Sequence, residues 1–525
     1  MLQTPRSGIR SWMSNQLLFQ KLNNPFGLGL LLLFAILVSY LIATLELKIA
    51  GILLIGIIGI PLIGACLLNP IYAIWTILIV GVLVDFLKKI VDAPFGTALD
   101  GLLFISLFGV LLQQLKDRDL SFAKNPISAW VLIWVTLNIL EVLNPWAGSR
   151  LAWLYTVRSM AGLIILYFVA TYAFSSYKII IKTIKLIIGL ALISALYGLK
   201  QEFIGFSNAE MTWLYSDPKR LELIFQWSRL RIFSFFSDPT TYGIFMGYMG
   251  TFCCVIATGP FSWAKRGLLL FSGMCMFASM IYAGSRTPFV LVPFGFIVFT
   301  LITLKKEILI GAMFMGILGL GFIMKGTSNP VLFRLQSAFI PKHSDDTMQV
   351  RFKNQKFIQP MIHRHPVGVG LGSTGAWAKR FTPDSFLADF AHDSGFVRIA
   401  VELGWIGLLI YMAFLFTLLR HSVYYYLRVR NQKIKTLYLG FTVVLFQLTL
   451  ASYPQEVLVI LPTSLVFYSF TAAVVRLKDF DDIHTQQYTS SVTPTLSPAM
   501  VDNDDVFTTE QNRIELPVSK NREIK

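Results

Sequence analysis

The chain has 525 residues, 55% of them hydrophobic and only 14% charged, with a mean hydropathy of +0.63. Apolar runs of about 17–22 residues recur along it, the length of a bilayer-spanning helix, and strands of alternating polarity are lacking, which excludes a soluble globular protein and a β-barrel. The net charge of +16 calls for no nucleic-acid partner, because basic residues gathered in short loops on one side of a membrane account for it.

In chain order, residues 1–27 read as a cytoplasmic segment carrying Arg6, Arg10 and Lys21. About fourteen spans follow, near 28–45, 49–68, 71–87, 98–115, 127–143, 154–174, 184–200, 241–258, 267–283, 288–304, 308–324, 399–419, 436–452 and 457–475. The first run is longer than a signal-peptide core and leads to no cleavage pattern, so it reads as an uncleaved span. Cys66, Cys253, Cys254 and Cys275 all fall within apolar runs and read as small core residues. Residues 28–478 are expected to form one transmembrane domain, and the polar, Thr/Ser/Pro-containing stretch 479–525 a disordered cytoplasmic tail.

With the N-terminus inside, inside segments collect most of the short-loop charge, for example Lys116, Arg118, Lys124, Lys265, Arg266, Lys305 and Lys306. Short outside loops hold only Lys48, Lys88, Lys89 and Arg150. Two long loops, 201–240 and 325–398, fall outside and are exempt from the rule, yet both are basic. The first carries Lys219, Arg220, Arg229 and Arg231; Trp213 and Trp227 suit an interfacial helix resting on headgroups. The second carries Arg334, Arg351, Lys353, Lys356, Arg364, Lys379, Arg380 and Arg398, with His343, His363, His365 and His392.

Arg231 lies in Arg231-Ile232-Phe233-Ser234-Phe235-Phe236-Ser237-Asp238-Pro239, just ahead of a span, and Arg286 in the turn Gly284-Ser285-Arg286-Thr287-Pro288 between two spans. An Arg at the bilayer centre costs about 2.5–3.5 kcal/mol on insertion scales. At the interface it can snorkel to headgroups, which is the competing reading of either residue alone. Two on one face beside a basic loop favour a phosphate ligand, which guanidinium grips bidentately. His392, before the run that opens at Ile399, is the natural general base near neutral pH; its competing reading is a surface histidine at a helix start. His363-x-His365 lacks a carboxylate or Cys at a supporting spacing and makes a weak metal motif. Gly370-Leu371-Gly372-Ser373-Thr374-Gly375 matches a dinucleotide fingerprint, but no strand–turn–helix context surrounds it. Its glycines are expected to let backbone pass close to a substrate or another segment.

Taken in order, these motifs resemble the O-antigen ligase and O-antigen polymerase superfamily of bacterial envelope glycosyltransferases. The resemblance covers roughly residues 231–409: an Arg before a Phe/Ser/Asp-Pro stretch, a Gly-Ser-Arg-Thr turn, Arg351 upstream of His365-Pro366-x-Gly368-x-Gly370, then His392 ahead of Glu402-Leu403-Gly404-Trp405-Ile406-Gly407. The family commonly has His-Asn where this chain has His392-Asp393.

The resemblance implies an all-α polytopic membrane protein of the lipid-linked, GT-C-type glycosyltransferase fold, acting at the outer face of the bacterial cytoplasmic membrane. It implies a metal-independent, inverting transfer of a glycan from an undecaprenyl-diphosphate carrier to a glycan, lipid-core or protein acceptor, as polymerase or ligase, without a cofactor. Arg231 and Arg286 would hold the diphosphate and His392 would activate the acceptor. Arg351, Asp393, His365 and Arg398 would serve substrate binding, and polysaccharide-export or chain-length proteins would be partners. The alternative is a transporter or flippase of lipid-linked anionic glycans. That reading calls for broken helices and repeat symmetry near the midplane, whereas Asp85, Asp100, Asn138, Glu141 and Arg158 lie near span ends.

Overall fold

The computed structural model describes residues 61–91, 93, 95–226, 229–307, 330–339, 346–390 and 394–481, with isolated positions between 25 and 59 and at 309, 310 and 321. Ten helices among the described residues are long and apolar enough to cross a membrane: Pro70–Ile90, Phe95–Leu115, Pro126–Leu143, Arg150–Ala173, Tyr177–Phe203, Pro239–Ala257, Trp263–Ala283, Arg286–Thr303, Gly404–Arg428 and Gln432–Ala451. The expected spans 28–45, 49–68 and 308–324 lie largely outside the described residues, as does the expected tail. The expected span 457–475 is a shorter helix, Thr463–Arg476. Pro454 and Pro462 ahead of it lack the backbone N–H that a continuous helix needs, and the chain winds there in turns. The expected span 399–419 is two helices, Gly395–Glu402 and Gly404–Arg428, parted where Gly404 takes a φ of +71°.

Helix starts follow a local rule. Asn69, Asn125, Asp217 and Asp238 each precede a proline and accept a hydrogen bond from a first-turn N–H. The side chain satisfies a donor that the helix leaves open, and proline at the first position has none to lose. The core centres on helix Pro239–Ala257, buried on almost every face, with Gln432–Ala451 and Thr463–Arg476 beside it. Phe252, Phe441 and Phe470 pack together at its middle. Small residues set the approach of its neighbour Trp263–Ala283. A Cβ on Gly250 would lie 2.7 Å from the Phe277 ring, and one on Gly273 would lie 3.2 Å from the Gly250 carbonyl. Close backbone contact of this kind is how helices associate where lipid is as apolar as leucine.

The first long loop holds two short helices, Asn208–Tyr215 and Pro218–Ile224, and a two-stranded hairpin pairing Phe225 with Leu230 and Gln226 with Arg229. Trp213, expected to rest on headgroups, packs with Leu214, Ile224 and Phe233 in a small core of the loop itself. Trp227 lies outside the described residues.

The chain then turns through Phe233–Phe236, buried and non-helical, with Ser234 at a φ of +49°. Its backbone is satisfied by the helices around it. Gln201 Oε1 accepts from the N–H groups of Phe233 (3.1 Å) and Ser234 (2.7 Å). Lys89 Nζ donates to the carbonyls of Ser234 (3.3 Å) and Phe236 (2.6 Å), and lies 4.1 Å from the Phe233 ring centre. Ser234 Oγ donates to the carbonyl of Ser194. Gln201 is oriented by Glu210, which accepts from its Nε2 at 2.6 Å and closes a capping box with Ser207.

Two variants test this packing. Gly250→Val should cost about 1–3 kcal/mol by overpacking against Phe277, read as a lower melting temperature of the detergent-solubilised protein. Lys89→Met should leave two buried carbonyls without a donor, at about 1–3 kcal/mol. Limited proteolysis should then cut faster within residues 225–240, and an unchanged cleavage rate would refute the clamp.

Candidate functional site

Arg231 leaves the clamped turn at the mouth of the bundle. Its backbone N–H donates to the Ile224 carbonyl (3.0 Å), and its Nε donates to the Ala283 carbonyl at the end of helix Trp263–Ala283 (2.8 Å). Longer contacts run from its terminal nitrogens to Gln226 Oε1 (3.4 Å) and Thr240 Oγ1 (3.5 Å). Gly284 follows at a φ of +59°, the left-handed cap that glycine adopts without strain, and lets the chain reverse. Arg286 is the first residue of the next helix, Arg286–Thr303. The structure thus brings the two predicted arginines to one turn, both half-buried. Two helix N-termini open there, at Pro239 and Arg286, and their partial positive charge adds to that of the guanidinium groups. Asp238 is occupied as a cap: its Oδ1 accepts from the N–H groups of Thr240 and Thr241, and its Oδ2 from Thr241 Oγ1 at 2.6 Å.

His392 and Asp393 lie outside the described residues. The segment just after them is anchored. Gly395 N donates to the Ser452 carbonyl (3.0 Å), and Ser394 caps helix Gly395–Glu402. Arg351 lies on helix Asp346–Arg364, its side chain outside the described structure.

Arg398, expected to bind substrate, is engaged by the protein's own carboxylates. Its Nε lies 3.2 Å from Glu402 Oε1, and its Nη1 bonds Glu456 Oε2. Burial works against its charge, but the two carboxylates more than offset this and hold its pKa above the usual guanidinium value. Glu402 is only 1% exposed and also accepts from Thr374 Oγ1 (2.6 Å) and N (3.3 Å).

That bond ties the glycine-rich element to the helix junction. Val369 N and Gly370 N donate to the carbonyls of Val401 and Glu402, and Ile406 N to that of Pro366. A Cβ on Gly368 would sit 2.3 Å from the Glu402 carbonyl oxygen. The glycines therefore serve close backbone approach, as their sequence context indicated. His365 packs edge-on against Trp146, with ring centres 5.2 Å apart, while His363 is exposed. Among the described residues no group of three or more His, Cys, Asp or Glu side chains is placed to hold a metal ion.

Sequence reasoning passed over Lys89, Gln201 and Glu456, and gave Glu402 no role. Lys89 carried one signal, a lysine at the outer end of a span against the charge rule. Arg398 and Glu402 carried another, the i,i+4 spacing of a helical ion pair. Glu456 and Gln201 act across 58 and 32 residues of sequence, with no local pattern to reveal them.

Residues 271–412 match the family model described as O-antigen ligase, a stretch that contains Arg286, Arg351, His365, His392 and Arg398 but not Arg231. No curated protein matches the chain. The match over these residues supports a likeness to the O-antigen ligase and polymerase superfamily of glycan-transferring membrane proteins, in a chain with ten membrane-capable helices among its described residues.

Proposed function

We propose that the chain is a membrane glycan ligase or polymerase that moves a glycan from an undecaprenyl-diphosphate carrier to an acceptor hydroxyl at the outer face of the cytoplasmic membrane. The observation that carries this is the meeting of Arg231 with the Ala283-Gly284-Ser285-Arg286 turn, through Nε and the Ala283 carbonyl. A diphosphate leaving group develops negative charge as its bond to the anomeric carbon breaks. Two positioned guanidinium groups beside two helix N-termini are preorganised for that charge. They need no bound metal to supply it.

The acceptor oxygen bonds to the anomeric carbon as the carbon–oxygen bond to the diphosphate breaks. His392 takes the hydroxyl proton, and the carrier leaves as undecaprenyl diphosphate. Attack opposite the leaving group inverts the anomeric centre. A positioned general base contributes about 10²–10⁴-fold. Asp393 orients His392 or the hydroxyl, and Arg351 lends charge from the long helix of the second loop. Residues 28–478 form the catalytic domain in the bilayer, and the tail from 479 lies in the cytoplasm. A ligase and a polymerase would differ only in the acceptor.

Reconstituted protein given a lipid-linked donor and an acceptor tests this. Arg231→Ala, Arg286→Ala and His392→Ala should each lose at least ~10²-fold of transfer while still inserting. Transfer should persist in a chelator, and the product should show the inverted anomeric configuration by NMR. Wild-type transfer in all three variants would refute the assignment, and glycan crossing the bilayer with no covalent change would point to a transporter instead.

A further inference from the structure

A cavity of about 280 Å³ opens between the start of helix Arg150–Ala173 and the glycine-rich element of the second loop. Trp146, Ser149, His365, Ser373, Ser385 and Phe386 are among its walls. Among the described residues that line it there is no Asp, Glu, Lys or Arg, although the loop that builds it is rich in arginine and lysine. An anionic group placed there would be partly desolvated with no fixed countercharge among those residues, an unfavourable exchange for water. The ligand that fits is therefore uncharged.

Two polar atoms of residues in its wall, Ser373 Oγ and His365 Nδ1, lie just behind its surface, shielded from solvent, and have no hydrogen-bond partner among the described residues. Buried polar groups in native proteins are nearly always paired, and a turn of the Ser373 hydroxyl or the His365 ring toward the cavity would give each, in a ligand, the partner it lacks. Ser149 and Ser385 each accept one backbone hydrogen bond and keep a hydroxyl proton to donate. Trp146 is 50% exposed and Phe386 53% exposed. They offer apolar faces beside these hydroxyl-bearing walls, the combination that suits the C–H face and hydroxyl rim of a sugar ring. The volume is at the low end for small-molecule sites, room for roughly one or two rings.

We propose that this cavity is a subsite for an uncharged sugar, separate from the diphosphate-binding arginines. It rests on the glycan-transfer reading in taking the sugar to be part of a glycan substrate. In this division of labour the Arg231–Arg286 turn takes the anionic end of a substrate, and the Trp146–Ser373 cavity takes a neutral ring.

The test uses full-length protein in lipid nanodiscs, probed with an array of neutral and uronic-acid-containing oligosaccharides of two to six sugars. Hits are titrated by saturation-transfer NMR. Neutral oligosaccharides should bind and acidic ones should not. Trp146→Ala and Ser373→Val should each weaken binding at least 10-fold at an unchanged melting temperature, and Trp146→Phe should recover part of it. The Arg231→Ala/Arg286→Ala variant should bind the same sugars as wild type while losing transfer. The subsite is overturned if no neutral glycan binds, if acidic glycans bind better, or if Trp146→Ala and Ser373→Val bind like wild type. Transfer surviving in the double-arginine variant would instead overturn the catalytic reading and leave the binding result to stand by itself.

Discussion

Backbone buried away from water must find its hydrogen bonds inside the protein, and a stretch that is not helix cannot find them within itself. The turn at Phe233–Phe236 is such a stretch, and Lys89 and Gln201 supply what it lacks. One side chain donates to its carbonyls and the other accepts from its N–H groups. Lys89 is 7% exposed, and a side chain so buried is accommodated by carbonyl oxygens that accept from its nitrogen and by the Phe233 ring beside it. Everything downstream depends on that hold. The turn delivers Arg231 to Ala283, and helix Pro239–Ala257 begins three residues beyond Phe236.

The second loop is secured by the same logic with the opposite charge. Glu402, almost fully buried, gathers donors: Thr374 from the glycine-rich element and Arg398 from its own helix, which reaches on to Glu456. A buried ion cluster is weak grounds for stability, because desolvation offsets much of its attraction. Its geometry, however, joins three separate segments, 366–375, 395–404 and 452–456, at one place. Ser394, which caps the helix carrying Arg398, and Gly395, whose N–H donates to the Ser452 carbonyl, belong to the same junction.

What was legible in the sequence follows from range. Run length marked eight of the ten membrane-capable helices to within four residues at each end, because it is a local property. The partnership of Arg231 with the Arg286 turn was legible because each stood at a span mouth on the same inferred side. The break at Leu403–Gly404 was missed because Gly404 looks like an ordinary glycine in an apolar run; its conformation is imposed by the backbone of Pro366, 38 residues earlier. Arg398 was read as free for substrate because Glu456 has no periodic relation to it. Lys89 looked like a stray loop charge because its acceptors lie 145 and 147 residues away.

Charge is divided in the same way at larger scale. A transferase for lipid-linked glycans must stabilise one strongly anionic group without attracting its neutral parts to the same spot. Cations gathered everywhere along the loops would bind headgroups and diphosphate indiscriminately, since exposed guanidinium groups have lipid phosphate always at hand. The fold avoids this by partnering several of its cations internally: Arg398 with two carboxylates, Lys89 with two carbonyls, Arg229 with Glu202 and Arg158 with Asp100. Arg231 and Arg286 are set apart from these by position, at a turn where two helices begin and where a phosphate adds favourably to both dipoles. On the proposed reading a headgroup phosphate meets one guanidinium at the surface, whereas a diphosphate can engage more than one of the groups gathered at the Arg231–Arg286 turn.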